Sequence, residues 1–115
     1  LEEVTKYVPV SDLALHCHDT HGTALANIYE GLLHGITTID SSVSGLGGCP
    51  YAPGAAGNVA TEDVIYMLNG MGIETGVNLD SLVRCAQNIS SALGRNLTSK
   101  TGQAELCRIG PMPAP

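Results

Sequence analysis

Two short strand-like runs, separated by one helix's length of chain, constrain this sequence more than anything else in it. The first, "DLALHCH" at positions 12–18, alternates Leu13, Leu15 and Cys17 with Ala14, His16 and His18. That period of two marks extended backbone, which sends the two sets to opposite faces. The second, "GITTIDSS" at 35–42, is rich in β-branched residues that favour strands. Between them Ala24, Leu25, Ile28, Leu32 and Leu33 recur near helical spacing. Asp19 or Thr20 can cap that helix, and Gly35 can end it. A strand, a helix of about 14 residues and a second strand make a βαβ unit, so the spacing predicts parallel pairing with a right-handed crossover.

Outside this unit the pattern is helical or irregular. Leu1 to about Val8 reads as the end of a helix stopped by Pro9. With neither an initiator Met nor a signal-peptide pattern, the chain reads as one whose front is missing. Val43 to Gly57 contains "SGLGGCPYAPGAAG", too rich in Gly and Pro for regular structure and too long for a mere connector. Loops of that kind are usually functional or disordered. Helical spacing returns at about Thr61–Asn69, with Thr61, Glu62 and Asp63 at the N-terminal end that favours acidic groups. It returns again at about Leu79–Leu93, where Leu82, Val83, Ala86 and Ile89 form an apolar stripe. From Gly94 the pattern fades, and 105–115 is expected to be a flexible tail. Two parallel strands and four helices cannot cover both faces of a sheet, and a lone pair of strands is not stable. The expected fold class is therefore α/β, as the closing quarter or third of a larger domain.

Composition narrows the function. There are four Tyr and no Phe or Trp, so any core is aliphatic. A net charge of −6 with five Lys plus Arg argues against nucleic-acid binding and against a polybasic membrane contact. No run of about 18 apolar residues offers a membrane span. Cys17, Cys49, Cys85 and Cys107 are widely spaced and form no CxxC, which favours a reducing compartment over a disulfide scaffold.

In parallel α/β sheets, ligands gather at the carboxyl ends of the strands. His16 and His18 close the first strand there, and the glycine-rich loop leaves the second. Two imidazoles on one face can chelate a divalent ion, or they can be hydrogen-bonded core residues; the spacing fits either. A metal shell needs further donors, and Asn58 in "GAAGNVATED" offers a hard amide oxygen. Imidazole mixed with oxygen favours Mg²⁺ or Mn²⁺, although Zn²⁺ also suits two histidines. Cys17 and Cys85 read as packing residues. Cys49 lies in "GLGGCPYA", where a loop thiol can serve as acid, base or nucleophile, or be incidental. Pro50 would stiffen that loop while its glycines allow hinge motion, as in a lid. A phosphate cradle ranks lower, since neither GxGxxG nor GxxxxGK[ST] occurs. His21 opens a helix near the rim, and His34 reads as a solvated helix end. Asp40 is either a supporting partner or a hydrogen-bonded core residue. Ser41 and Ser42 can line the mouth, and Asp19 suits capping better than metal binding.

"LHCHDTHGTALAN", "DSSVSGLGGCPYAPGAAGNVATEDV" and "YMLNGMGIETGVNL" together resemble the carboxyl-terminal part of the 3-hydroxy-3-methylglutaryl-CoA (HMG-CoA) lyase family. The resemblance runs from Leu1 to about Ala104. The HxH strand is shared with a wider group of metal-dependent barrel lyases and Claisen-type synthases, whereas "GLGGCPYA" followed by GN is far more specific. The resemblance implies the closing portion of a TIM barrel over 1–104, from a fold of eight βα units and roughly 250 residues. It implies that His16, His18 and Asn58 ligate Mg²⁺ or Mn²⁺, and that Cys49 is the catalytic loop cysteine. The implied reaction is a retro-Claisen cleavage of HMG-CoA to acetoacetate and acetyl-CoA, in ketone-body formation and leucine degradation. A base takes the C3 hydroxyl proton, and Cys49 handles the proton that the thioester enolate needs. A homodimer in the mitochondrial matrix, or alternatively the cytoplasm, is also implied.

The departures from the family are informative. Its remaining metal-binding aspartate and adjacent arginine lie in an "RDG"-type motif on the first barrel strand, and no such motif occurs here. The arginines are Arg84, Arg95 and Arg108, all near the far end. The isolated chain is therefore expected to be inactive, poorly folded and prone to aggregate through bare strand edges. Cys107, in "AELCRIGPMPAP", lies near a tail cysteine that serves thiol/disulfide regulation in some members; the match is loose, and an unremarkable tail thiol is preferred to a redox residue. The terminal "PAP" is not a peroxisomal address. Two rival readings remain: a related acyl-CoA enzyme of the same barrel group, and a non-catalytic truncated product that associates with intact subunits.

Overall fold

The computed structural model describes residues 1–48, 51, 54 and 56–110. Its centre is the expected βαβ unit: β1 (Ala14–His16), α1 (Ala24–Leu33) and β2 (Thr38–Asp40). The strands pair in parallel with Ala14 opposite Thr38, Leu15 opposite Ile39 and His16 opposite Asp40. Alternation decides the faces. Leu15 and Ile39 turn toward the helices and are half-buried, while Ala14, His16, Thr38 and Asp40 line an exposed face. Asp19 does cap α1, its Oδ1 accepting the Ala24 N–H at 3.1 Å.

Three helices follow: α2 (Thr61–Gly70), α3 (Leu79–Ala92) and α4 (Lys100–Ile109). Asn78 caps α3, its Oδ1 accepting the Ser81 N–H at 2.8 Å. One apolar cluster joins the unit to α2: Ala24, Ile28, Val59, Val64 and Leu68, with Cys17, Leu25, Leu32, Ile39 and Met67 packed against it. Cys17 thus packs as its strand parity predicts. Its burial pushes the thiol pKa above its ordinary value.

Four expectations need correction. The amino-terminal stretch forms two 3₁₀ turns, Val4–Lys6 and Val10–Asp12, rather than the end of an α-helix. The first strand ends at His16 instead of running through His18, because Cys17 to Asp19 pairs with residues 57–59 and leaves β2. Cys85 is exposed on α3 rather than packed. Residues 105–109, expected to lie in a flexible tail, are helical instead, since α4 continues to Ile109. That helix is held from outside. Asp63 Oδ1 on α2 accepts the Thr101 N–H at 2.8 Å, and Arg108 forms an ion pair with Asp80 on α3. Its close-packed residue is Gly102, where an added Cβ would press on Leu97 and Ser99. No apolar stripe announces such a helix.

Candidate functional site

The carboxyl ends of β1 and β2 and the returning segment 56–60 meet at one rim. Two backbone bonds lace the returning segment to the chain beyond β1: Val59 N–H to Cys17 O at 3.0 Å, and Asp19 N–H to Gly57 O at 3.2 Å. They flank the antiparallel pair His18–Asn58 without passing between its members. In such a pair the Cα atoms approach to about 4.5 Å and both side chains rise from the same face. Two further bonds, Ser42 N–H to Val59 O at 3.0 Å and Thr61 N–H to Ser42 O at 2.9 Å, tie the segment to the end of β2. Three stretches distant in sequence are therefore fixed against one another by main-chain bonds.

The histidine rings sit side by side, with centroids 5.4 Å apart. Each commits its Nδ1 to an oxygen. His18 Nδ1 lies 3.1 Å from the Ala56 carbonyl, which can only accept, so the ring carries its proton there. His16 Nδ1 lies 3.2 Å from Asp40 Oδ2, its register partner on β2. In its neutral form a ring so protonated carries its free lone pair on Nε2, the arrangement found where a histidine ligates metal with its outer nitrogen pinned. Asn58 is committed in the complementary sense: its Nδ2–H donates to the Leu46 carbonyl at 3.0 Å, leaving Oδ1 to be offered to a cation. Two imidazole nitrogens and one amide oxygen suit a divalent cation of intermediate hardness. Among the described residues, no group of three His, Cys, Asp or Glu side chains converges on a metal position. An amide falls outside that class, and a full shell needs donors beyond these three.

Cys49 lies outside the described residues. The ends of its loop are described, and they cross closely. Gly57 runs so near the Gly45 and Gly47 carbonyls that a Cβ there would overlap both oxygens, and a Cβ on Gly47 would stand 2.6 Å from Asn58 Nδ2. A cleft of about 370 Å³ opens beside Asn58, its wall including Asp19, Asp63, Arg95, Thr98 and Ser99. Cys107 is exposed on α4. His34 pairs with Glu30 at 3.0 Å at the end of α1, away from the rim. Ser41 bonds Thr61 at 2.8 Å beside the rim.

Sequence reasoning left Asp40 between two roles; the residue is exposed rather than part of the core, and its contact is with His16 Nδ1. It missed Glu62, which reads as an ordinary acidic residue in a first helical turn but is fully buried. No local signal distinguishes the two, because the partners of Glu62 come from remote segments.

The HMGL-like family model matches residues 1–89. The mitochondrial hydroxymethylglutaryl-CoA lyase of Gallus gallus is 58% identical over 109 residues, covering 95% of this chain and 36% of the relative. The cytoplasmic 3-hydroxy-3-methylglutaryl-CoA lyase of Homo sapiens is 58% identical over 104 residues, covering 90% of this chain and 28% of its own. The crystal structure of hydroxymethylglutaryl-CoA lyase from Pseudomonas aeruginosa superimposes with a TM-score of 0.88 at 55% identity, over 93% of this chain and 36% of that one. The chain thus spans about a third of the length of the relatives it matches.

Proposed function

The chain belongs to the HMGL-like family, and from that premise we propose that it is the closing part of a metal-dependent barrel lyase that cleaves HMG-CoA to acetoacetate and acetyl-CoA. The observation that carries this reading is the paired rise of His18 and Asn58 beside His16, with both Nδ1 atoms and the amide nitrogen already engaged. His16 Nε2, His18 Nε2 and Asn58 Oδ1 would hold Mg²⁺ or Mn²⁺. The bound ion supplies positive charge against alkoxide character developing on the substrate.

The chain's own residues do the rest. Asp40 and the Ala56 carbonyl keep the two rings in the ligating tautomer. The exposed face of β1 and β2 turns into the packed interior of the complete barrel, and the substrate meets the histidines at the carboxyl ends of the strands. As the C2–C3 bond breaks, its electron pair passes to the thioester enolate, and Cys49 donates the proton that converts the enolate into acetyl-CoA. Removal of the C3 hydroxyl proton falls to a base outside this chain. The relatives are named for both mitochondrion and cytoplasm, and the mitochondrial setting is the one proposed here.

The test is a complete barrel, made by joining this chain to the preceding two thirds of the Pseudomonas lyase. Mn²⁺-dependent release of acetyl-CoA from HMG-CoA supports the reading. A folded, Mn²⁺-loaded barrel that leaves HMG-CoA intact and cleaves a different acyl-CoA defeats it in favour of another member of the barrel group. The 115-residue chain alone is expected to release none.

A further inference from the structure

Glu62 is 0% exposed, yet among the described residues it hydrogen-bonds to none of the three proposed ligands. Both of its carboxylate oxygens accept the Ser44 N–H at 3.0 Å, and Oε1 also accepts the Ser99 hydroxyl at 2.8 Å. Ser44 is itself buried and holds φ at +57°, a left-handed conformation that costs a residue with a Cβ about 1 kcal/mol or more unless its surroundings enforce it. They do enforce it. Its carbonyl accepts the Thr98 hydroxyl at 2.7 Å, and its own hydroxyl pairs with Ser90 at 3.1 Å. Segments from α2, α3 and the approach to α4 therefore grip Ser44 by all its polar atoms.

The turn at Ser44 leads directly to the Asn58 amide. Leu46, two residues on, presents the carbonyl that accepts Asn58 Nδ2–H. A left-handed residue reverses the local chain direction, so the dihedrals of Ser44 govern where the Leu46 carbonyl points. The turn also lies against the backbone of Asn58, whose carbonyl would stand 3.2 Å from a Cβ placed on Gly45.

We propose that Glu62 is a positioning residue for Asn58: it clamps Ser44 in the left-handed turn, which aims the Leu46 carbonyl, which orients the amide whose oxygen faces the cation. The inference rests on the metal reading above and deepens it. It also gives a task to Ser90, Thr98 and Ser99, which lie beyond the family-matched residues 1–89.

The experiment is Mn²⁺ titration of the complete barrel by electron paramagnetic resonance, with Glu62→Gln, Asn58→Ala and the double variant. Gln replaces one acceptor oxygen by an NH₂ that cannot receive the Ser44 N–H. Glu62→Gln should weaken Mn²⁺ binding about tenfold, the low end for loss of a supporting partner. The double variant should bind no more weakly than Asn58→Ala, because both changes act through one amide. Unchanged affinity in Glu62→Gln, or a full additional loss in the double variant, overturns the inference. Should Glu62→Gln fail to fold, Ser99→Ala removes one donor to Glu62 while keeping the Ser44 bonds. A few-fold weakening is expected there, and wild-type affinity overturns the inference. Absence of Mn²⁺ binding in the unsubstituted barrel defeats the metal reading and this inference together, whereas binding lost in Asn58→Ala but kept in Glu62→Gln defeats this inference alone.

Discussion

Asp40 Oδ2 stands 3.2 Å from His16 Nδ1, directly across the strand register. The pair is more than half exposed, with side-chain accessibilities of 57% for His16 and 58% for Asp40, so the contact contributes little to the stability of this chain. Its value lies in fixing the ring. Asp40→Ala in the complete barrel should weaken Mn²⁺ binding about 10- to 100-fold while leaving the thermal transition nearly unchanged. Equal Mn²⁺ affinities for the two proteins would remove Asp40 from the site.

Metal binding and proton transfer should separate by mutation. Cys49→Ser is expected to keep full Mn²⁺ affinity and lose about 10²- to 10⁴-fold in turnover, the span of a general acid–base contribution. His18→Ala should lose both. Turnover of Cys49→Ser matching the parent enzyme would take the proton-transfer role away from that thiol.

Gly57 has no room for a side chain, because its Cα faces the Gly45 and Gly47 carbonyls. Gly57→Ala forces main chain apart, and overpacking of this kind costs about 1–3 kcal/mol. The same displacement shifts Asn58, its neighbour in sequence. Urea denaturation of the complete barrel should report the loss, accompanied by weaker Mn²⁺ binding. A variant as stable as the parent would mean the crossing is looser than described.

Thiol chemistry should follow burial. Cys85 and Cys107 are exposed, whereas Cys17 is partly buried and its thiol pKa is raised by desolvation. Iodoacetamide should modify Cys85 and Cys107 first, with Cys17 reacting appreciably only at more alkaline pH. The linkage has a definite sign. A thiol whose folded pKa exceeds the unfolded one leaves stability whole below the unfolded pKa and erodes it as pH rises toward the folded value. Cys17→Ala should flatten that alkaline loss. Modification of Cys17, Cys85 and Cys107 at one rate near neutrality would contradict the packing.

The βαβ unit was readable because its signals are local: alternation in "LALHCH", β-branching in "GITTID" and an aliphatic stripe at Ile28 and Leu32. Strand parity also placed His16 and His18 together and turned Cys17 inward. Asn58 could be nominated from its chemistry, but nothing near it in sequence foretells its pairing with His18. That pairing depends on main-chain bonds made by Cys17 and Asp19 to residues 57–59. Helix α4 escaped notice for a similar reason, since Asp63 on α2 caps it and a glycine makes its tightest contact. Glu62 was hidden more deeply. A carboxylate in a first helical turn is usually a solvated partner of the helix dipole, and only the fold brings Ser44 and Ser99 to it.

The wide His18–Asn58 pairing joins stretches that the chain itself connects only through α1, β2 and the loop after them. An ion gripped from both sides would fasten that whole excursion shut, much as a removable cross-link does, and restrict the freedom available to the unfolded polypeptide. Chelation should then loosen the rim as well as halt the chemistry. The catalytic ion would double as a rivet.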